Sequence, residues 1–386
     1  MIRIRHSLIT KRHEELIELV DQLGKQYVEP IADKMDRENL YPRDIMRKLG
    51  ENGLLTPTLP REYGGLGADM LSMSLIVEIL SRYSAAVGIL AEVQGFLVAH
   101  AFYTYGNKWM REELAPKLAR AELIGSFALT EPCCGSDAAA IETRAERRGG
   151  EWVINGRKIY ITQGLYADVY LVFTRTGPKE ARHKAITAFL VRRSNCVEAT
   201  PIDVMGIRGT GTSEIRFNDC VVSDDDMVGK LNEGFKIAME ALNIGRLAVA
   251  SSTLGLSEAA LMEAYKWVRE RRAFDQPLMD FEWIQFQLAD MATYIETMRN
   301  ITYETAYALD KNLPDAYAYA SMAKLVNALL GFNIVRTAVQ LTGAYGVSMS
   351  SKLNRIYRDF KLMEIGEGTN EVQRRIIYRW LSKALE

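Results

Sequence analysis

Histidine and cysteine are both scarce in this chain, with four of each among 386 residues. The histidines are His6, His13, His100 and His183, so chemistry built on paired imidazoles has little to draw on. Cys133 and Cys134 are adjacent, while Cys196 and Cys220 stand far apart. None has a metal-ligand spacing, and four cysteines in a chain of this length do not compose a disulfide framework. No metal is therefore expected, and a reducing cytoplasm is the expected compartment. An excess of one charge is also lacking. The 48 Lys and Arg against 49 Asp and Glu leave a net charge of −1, which gives no reason to expect attraction to nucleic acid or to an anionic membrane. No uninterrupted apolar stretch reads as long enough to cross a bilayer, so no membrane insertion is expected. The beginning, MIRIRHSLITKRHEEL, lacks the apolar run of a secretory signal. GxGxxG and GxxxxGK(S/T) phosphate loops are absent. The single ExxH, Glu180-x-x-His183, falls in a β segment, which removes a di-iron carboxylate bundle, since that site needs the motif on two helices.

What is present is ordinary globular composition, 48% hydrophobic and 25% charged, in a length that suggests two or three domains. Apolar period and prolines divide the chain at about 1–124, 125–232 and 233–386. From Lys11 to Leu123 the period is helical, with Met70 to Leu80 and Val87 to Phe102 as apolar helices. The run Thr56-Pro57-Thr58-Leu59-Pro60 and the following Tyr63-Gly64-Gly65-Leu66-Gly67 read as loop. The middle part carries short β-branched and aromatic runs at Trp152–Ile154, Ile159–Thr162, Val169–Thr174, Ile186–Val191 and Glu214–Phe217. Asn155-Gly156 between the first two predicts a tight hairpin turn. From Gly234 onward helices return: Phe235 to Arg272, Trp283 to Leu309, Asp315 to Leu341 and Asn370 to Ala384. The predicted class is mainly α with a β insert: an N-terminal helical domain, a small central antiparallel β domain and a closing four-helix bundle. Helices, then β, then helices exclude a doubly wound sheet.

Four clusters stand out. Phe127-Ala128-Leu129-Thr130-Glu131-Pro132-Cys133-Cys134-Gly135-Ser136-Asp137 joins the helical and β parts, and its hydroxyls and acids also suit a plain capping loop. In Lys158-Ile159-Tyr160-Ile161-Thr162-Gln163-Gly164 strand alternation predicts Tyr160 and Thr162 on one face, which suits a planar cofactor or simply a half-buried strand. Arg269-Glu270-Arg271-Arg272-Ala273-Phe274, with Gln285 beyond, reads either as a solvated helix end or as a pyrophosphate clamp. In Glu364-Ile365-Gly366-Glu367-Gly368-Thr369-Asn370-Glu371 a helix start explains Thr369 to Glu371 but leaves Glu367 between two glycines unexplained.

In order along the chain, these clusters resemble the acyl-CoA dehydrogenase family. Phe127-x-Leu129-Thr130-Glu131-Pro132-x-x-Gly135-Ser136-Asp137 matches its first signature, and Glu367-Gly368-Thr369-Asn370-Glu371-x-Gln373-Arg374 its second. Asn155-Gly156-x-Lys158, Met205-Gly206-x-Arg208, Arg271-x-x-Phe274 and Gln340-x-x-Gly343 lie between them, and the likeness covers essentially the whole chain. The resemblance implies FAD as cofactor, with Phe127, Leu129, Thr130, Gly135 and Ser136 along the flavin and Tyr160, Ile161 and Thr162 at its ring. It implies that Arg271, Phe274, Gln285, Gln340, Gly343 and Ala344 reach the ADP part across a subunit boundary, and that Thr369 and Glu371 lie near the phosphates and adenosine. Ser136, Asn243, Arg246 and Gly368 should border the acyl-CoA. Such shared sites imply an oligomer, and the resemblance suggests a homotetramer built as a dimer of dimers.

Dehydrogenation of a thioester at Cα and Cβ needs a hydride acceptor and a base, and the resemblance gives the base to Glu367. Some relatives place it on the long helix, where this chain has Gly245. Electrons are expected to pass to an electron-transferring flavoprotein, as in fatty acid β-oxidation; an oxidase passing them to O₂ and a nonenzymatic helical homologue are the alternatives. Phe127 and Tyr160 stand where tyrosine and tryptophan are frequent, and Asn243 where aspartate is common. Val93-Gln94…His100…Tyr103-x-Tyr105-Gly106 is similar to glutaryl-CoA dehydrogenases, but Gly88-Ile89-Leu90-Ala91-Glu92 holds no arginine for a distal carboxylate.

Overall fold

The computed structural model describes residues 4–386. The helix Met70–Tyr83 begins at Asp69, whose carboxylate accepts the Ser72 N–H at 2.8 Å. Beyond Ser84 a second apolar helix runs over Ala85–Tyr105. Its middle, Glu92–Ala99, is wound wider, as in the bond from the His100 N–H five residues back to the Gly95 carbonyl. By length and composition this helix and Ala316–Thr342 are apolar enough to span a bilayer, which corrects the expectation that no stretch is. Here the protein itself encloses them: 94% and 56% of their most apolar windows are buried.

Eight strands follow in one sheet: β1 Gly125–Ala128, β2 Arg144–Arg148, β3 Glu151–Ile161, β4 Val169–Arg175, β5 Ile186–Arg192, β6 Val197–Pro201, β7 Ser213–Val222 and β8 Met227–Val228. The path is β6-β7-β3-β2-β4-β5-β8, and β1 and β2 both pair with β4 in parallel, so the sheet is mixed where an antiparallel one was expected. Every residue of β4 is buried because both its faces are covered. Leu171 and Phe173 join the main core, while Tyr170 and Val172 join a separate β core with Trp152, Phe189 and Phe217.

Four strands, β1, β2, β6 and β8, have no counterpart among the predicted runs. β2 is nearly all charged, and β6 has one buried residue in five. The hairpin turn predicted at Asn155-Gly156 is not there. β3 runs straight through it, and the turn before β3 is Gly149-Gly150, both in the left-handed region. Asn155-Gly156 marks a bulge instead, since the register with β7 shifts between Ile154 and Gly156. Glycine is required there by close approach: a Cβ would stand 2.4 Å from Thr143 Oγ1. The cysteines also differ from expectation, forming Cys133–Cys134 and Cys196–Cys220 disulfides. Pairing of β6 with β7 is what brings Cys196 and Cys220 together, a proximity that sequence separation hides.

The remaining long helices are Gly234–Glu270, Glu282–Asp310, Ala316–Thr342 and Asn370–Leu385. A further helix, Lys352–Met363, was not foreseen. It buries Leu353, Ile356, Phe360 and Met363, with the charged Arg355 and Asp359 buried among them. A single apolar core runs from Leu16 through β4 to Met363, so the helical parts at either end of the chain pack as one body.

Candidate active site

Glu367 occupies the turn between Lys352–Met363 and Asn370–Leu385, and its backbone is left-handed, φ 53°. For a non-glycine residue this conformation costs about 1–3 kcal/mol and persists only where the surroundings impose it. Gln373 imposes it: its amide Nε2 donates to the carbonyls of Glu367 at 3.1 Å and Gly368 at 2.8 Å. Thr369 caps the final helix by accepting the Val372 N–H at 3.4 Å, and Glu371 lies exposed in its first turn. The helix-start reading of Thr369 to Glu371 therefore holds, with Glu367 aimed elsewhere by its own backbone.

The carboxylate of Glu367 lies against the helix Gly234–Glu270 at Gly245. A Cβ there would stand 2.6 Å from Glu367 Oε2. One turn of that helix supplies the neighbours. Arg246 Nη1 donates to Asn243 Oδ1 at 2.5 Å, and Arg246 Nε reaches the Glu367 carbonyl at 3.4 Å. Lys324 is fully buried and donates to Asn370 Oδ1 at 3.2 Å. Glu367 as a residue is half-buried, but its Oε2 is shut from solvent and has no hydrogen-bond partner among the described residues. Burial pushes its pKa up to about 7, against the opposing pull of the Arg246 and Lys324 charges. Burial likewise lowers Lys324 to about 8 and lowers Arg246. The structure thus brings Glu367, Gly368, Asn243 and Arg246 together. Lys324 and Gln373 complete the group, and neither was given a role from sequence: a lysine inside an apolar helix period carries no sign of what it faces.

The expected flavin residues meet at one corner of the β domain. Phe127 is half-buried and tilts against Phe173 with ring centroids 4.8 Å apart. The Ile159 N–H donates to the Thr130 carbonyl at 2.9 Å, and Ser126 Oγ to the Thr162 carbonyl at 2.6 Å, stitching the two clusters side by side. Lys158, fully buried, donates to the carbonyls of Leu129 at 3.0 Å and Phe173 at 2.6 Å and to Glu131 Oε1 at 2.7 Å. Burial pushes Glu131 up, but the Lys158 charge and the bonds from Lys158 and the Glu142 N–H outweigh it and hold the carboxyl low. Glu131 is also near the sulfurs of Cys133 and Cys134. That carboxylate is spent on Lys158 and backbone, and the sulfurs are bonded to each other. Gly135 and Ser136 lie exposed beyond them.

Strand alternation fails at Tyr160, which is left-handed at φ 58° and 63% exposed, and β3 ends at Ile161. Ile161 packs into the β core, leaving only its backbone for a ligand. An exposed ring at Tyr160 beside the Thr130 and Thr162 turns still fits a planar flavin, since among the described residues it stacks on no other ring.

The third group lies at the other end of the long helix. Arg271, Gln285, Gln340, Gly343 and Ala344 are exposed, and Phe274 is 90% exposed. Trp267 stacks on Tyr345 at 4.6 Å, which brings the residues around Ala344 to the Arg271 end. Gln285 Nε2 donates to the Met279 carbonyl at 3.0 Å. From Gly245 to Glu270 are 25 residues of this helix, roughly 38 Å at ~1.5 Å per residue. Arg271 and Glu367 of one chain therefore stand too far apart to hold neighbouring parts of one dinucleotide.

Models of the acyl-CoA dehydrogenase N-terminal, middle and C-terminal domains match residues 10–122, 126–220 and 232–382. A 3-(aryl)acrylate reductase of Clostridium sporogenes is 37% identical over 370 residues, 95% of this chain and 98% of that protein. The structure of butyryl-CoA dehydrogenase from Megasphaera elsdenii superposes with a TM-score of 0.94 at 33% identity, covering 98% of this chain and 100% of that one. A chain from work on the electron transferring flavoprotein of Acidaminococcus fermentans also scores 0.94, at 34% identity, over 98% of this chain and 99% of that one.

Proposed function

The chain belongs to the acyl-CoA dehydrogenase family, and from that premise we propose that Glu367 removes the α-proton of an acyl-CoA while a β-hydride leaves to the cofactor. The protein is an oxidoreductase, and FAD is the family's cofactor. When bound, FAD supplies the hydride acceptor. The corner formed by Phe127, Leu129, Thr130, Ser136, Tyr160 and Thr162 would hold its flavin, with Gly135 and the Ile161 backbone beside it.

The observation that carries this reading is the bare, enclosed Oε2 of Glu367. A carboxylate stripped of hydrogen-bond donors is a stronger base than a solvated one. Gln373 holds its backbone, and Gly245 leaves room for its carboxyl. Arg246 and Lys324 keep enough positive charge nearby for the anion to form near neutral pH. The acyl-CoA would enter past Ser136, Asn243, Arg246 and Gly368.

Arg271, Phe274, Gln285, Gln340, Gly343 and Ala344, with Thr369 and Glu371, would serve the ADP half of FAD across a subunit boundary. The roughly 38 Å of helix between the two ends supports an assembly of several copies, proposed as a homotetramer. An electron-transferring flavoprotein is the proposed acceptor, supported by the neighbour from that system.

The test is Glu367→Gln. The purified variant should keep its flavin and bind acyl-CoA, yet fail to bleach when substrate is added without oxygen. Bleaching at the wild-type rate would remove Glu367 from the mechanism. Peroxide release, set against reduction of an electron-transferring flavoprotein, distinguishes the acceptor.

A further inference from the structure

A second carboxyl group lies inside the same region and has no role in the reaction above. Glu92 opens the widened stretch Glu92–Ala99 of the buried helix and is 1% exposed. Both of its carboxyl oxygens are without a hydrogen-bond partner among the described residues. Widened turns of this kind recur at functional sites, although this chain also has them at Gly24–Val28 and Met110–Leu114.

Three observations place Glu92 in the neighbourhood of Glu367 and the flavin corner. Its stretch packs against Gly234–Glu270, the helix that carries Gly245 and Arg246. Two residues on, Gln94 Oε1 accepts the Gly125 N–H at 2.9 Å, at the start of the strand that bears Phe127. The charge of Glu367 also reaches Glu92 and, with burial, drives its pKa well above the ordinary carboxyl value. A carboxyl shut from solvent, with no hydrogen-bond donor on either oxygen and a like charge nearby, favours its neutral form. The bulky, charged CoA must lie toward solvent, so a side chain shut from solvent beside the base faces the acyl portion.

We propose that Glu92 selects acyl-CoA substrates whose acyl chain carries, beyond Cβ, a neutral group that both donates and accepts a hydrogen bond, a hydroxyl or a carboxamide. This rests on the dehydrogenase reading of Glu367 and names the substrate class of that site. A protonated carboxyl has one O–H to give and a carbonyl oxygen to receive. A hydroxyl satisfies both, whereas a plain alkyl chain leaves both stranded in a dry pocket. A distal carboxylate would meet the charge of Glu367, and the nearby Arg246 is already engaged by Asn243 and the Glu367 carbonyl, so glutaryl-like substrates are disfavoured. A site that hydrogen-bonds a substrate group rejects the analogue lacking it far more strongly than an apolar pocket rejects an added methylene.

The experiment compares anaerobic flavin reduction of the holoenzyme by matched pairs, 4-hydroxybutyryl-CoA with pentanoyl-CoA and 5-hydroxypentanoyl-CoA with hexanoyl-CoA. Wild type should favour the hydroxylated member of at least one pair by tenfold or more in kcat/KM. Glu92→Met, apolar and of similar length, should abolish or invert that ratio. Glu92→Gln, which still donates and accepts, should keep its direction. A structural role alone moves both members of a pair together and leaves the ratio untouched. Ratios near one in wild type, or a ratio unchanged in Glu92→Met, overturn the proposal. So does a preference for an ω-amino acyl-CoA over both members, which would make Glu92 an anion. If no acyl-CoA bleaches the flavin, the dehydrogenase reading fails, and this proposal with it. If bleaching depends on Glu367 but the ratio ignores Glu92, only this proposal fails.

Discussion

The long helix Gly234–Glu270 carries two buried acidic regions that the protein treats in opposite ways. Toward its C-terminal half, Glu258 receives Arg82 and Arg299, while Glu78 receives Arg82 at 2.9 Å and the Tyr303 hydroxyl at 2.7 Å. All four carboxylate oxygens there have partners, and the cluster ties together Met70–Tyr83, Gly234–Glu270 and Glu282–Asp310. Toward its N-terminal half, Glu367 Oε2 and both oxygens of Glu92 have none. Burial pushes Glu258 and Glu367 alike to about 7, so a raised pKa does not separate scaffold from chemistry. Partner count does: a saturated carboxylate fixes helices, and a bare one waits for a ligand.

Exchanging one oxygen for an amide in each region gives opposite results if this contrast is sound. Glu367→Gln should lower the rate of flavin reduction by about 10²–10⁴-fold with little change in unfolding by urea. Glu258→Gln should instead destabilise by about 3–5 kcal/mol, because Arg82 and Arg299 lose their buried counter-charge, while the folded holoenzyme keeps its rate. Equal effects on both readouts would erase the distinction.

Gly245→Ala sharpens it further. Alanine favours the helix by about 1 kcal/mol, yet its methyl collides with the base. A drop in flavin reduction of about 10²-fold without loss of stability is expected from a misplacement of this size. The mildest test is pH. Below about 7 Glu367 is protonated and accepts no further proton, so kcat/KM should fall by about tenfold per unit of acidification and level off above that pH. In Glu258→Gln the same profile should persist, since Glu258 does not face the substrate.

Much of the fold was legible because period survives in single-chain order. The helices Gly234–Glu270, Glu282–Asp310 and Ala316–Thr342 lie within a few residues of where apolar spacing put them. Lys352–Met363 was lost because charged residues interrupt its apolar stripe. Asn155-Gly156 misled because the same pair serves a tight turn and a bulge, and only Thr143, twelve residues before Asn155, decides between them. At the site, Glu367 was legible as a carboxylate that its helix start did not need.

Sequence by itself determined the order of helix, β and helix, the capped start at Thr369 and a glycine at 245, since these depend on residues near each other in the chain. Tertiary structure alone decided that Gly245 makes room for Glu367, that Lys324 and Gln373 attend it, that Cys196 meets Cys220, and that Glu92 has no partner. Burial and unmet hydrogen bonds are properties of what surrounds a side chain, and those surroundings come largely from other segments of the chain.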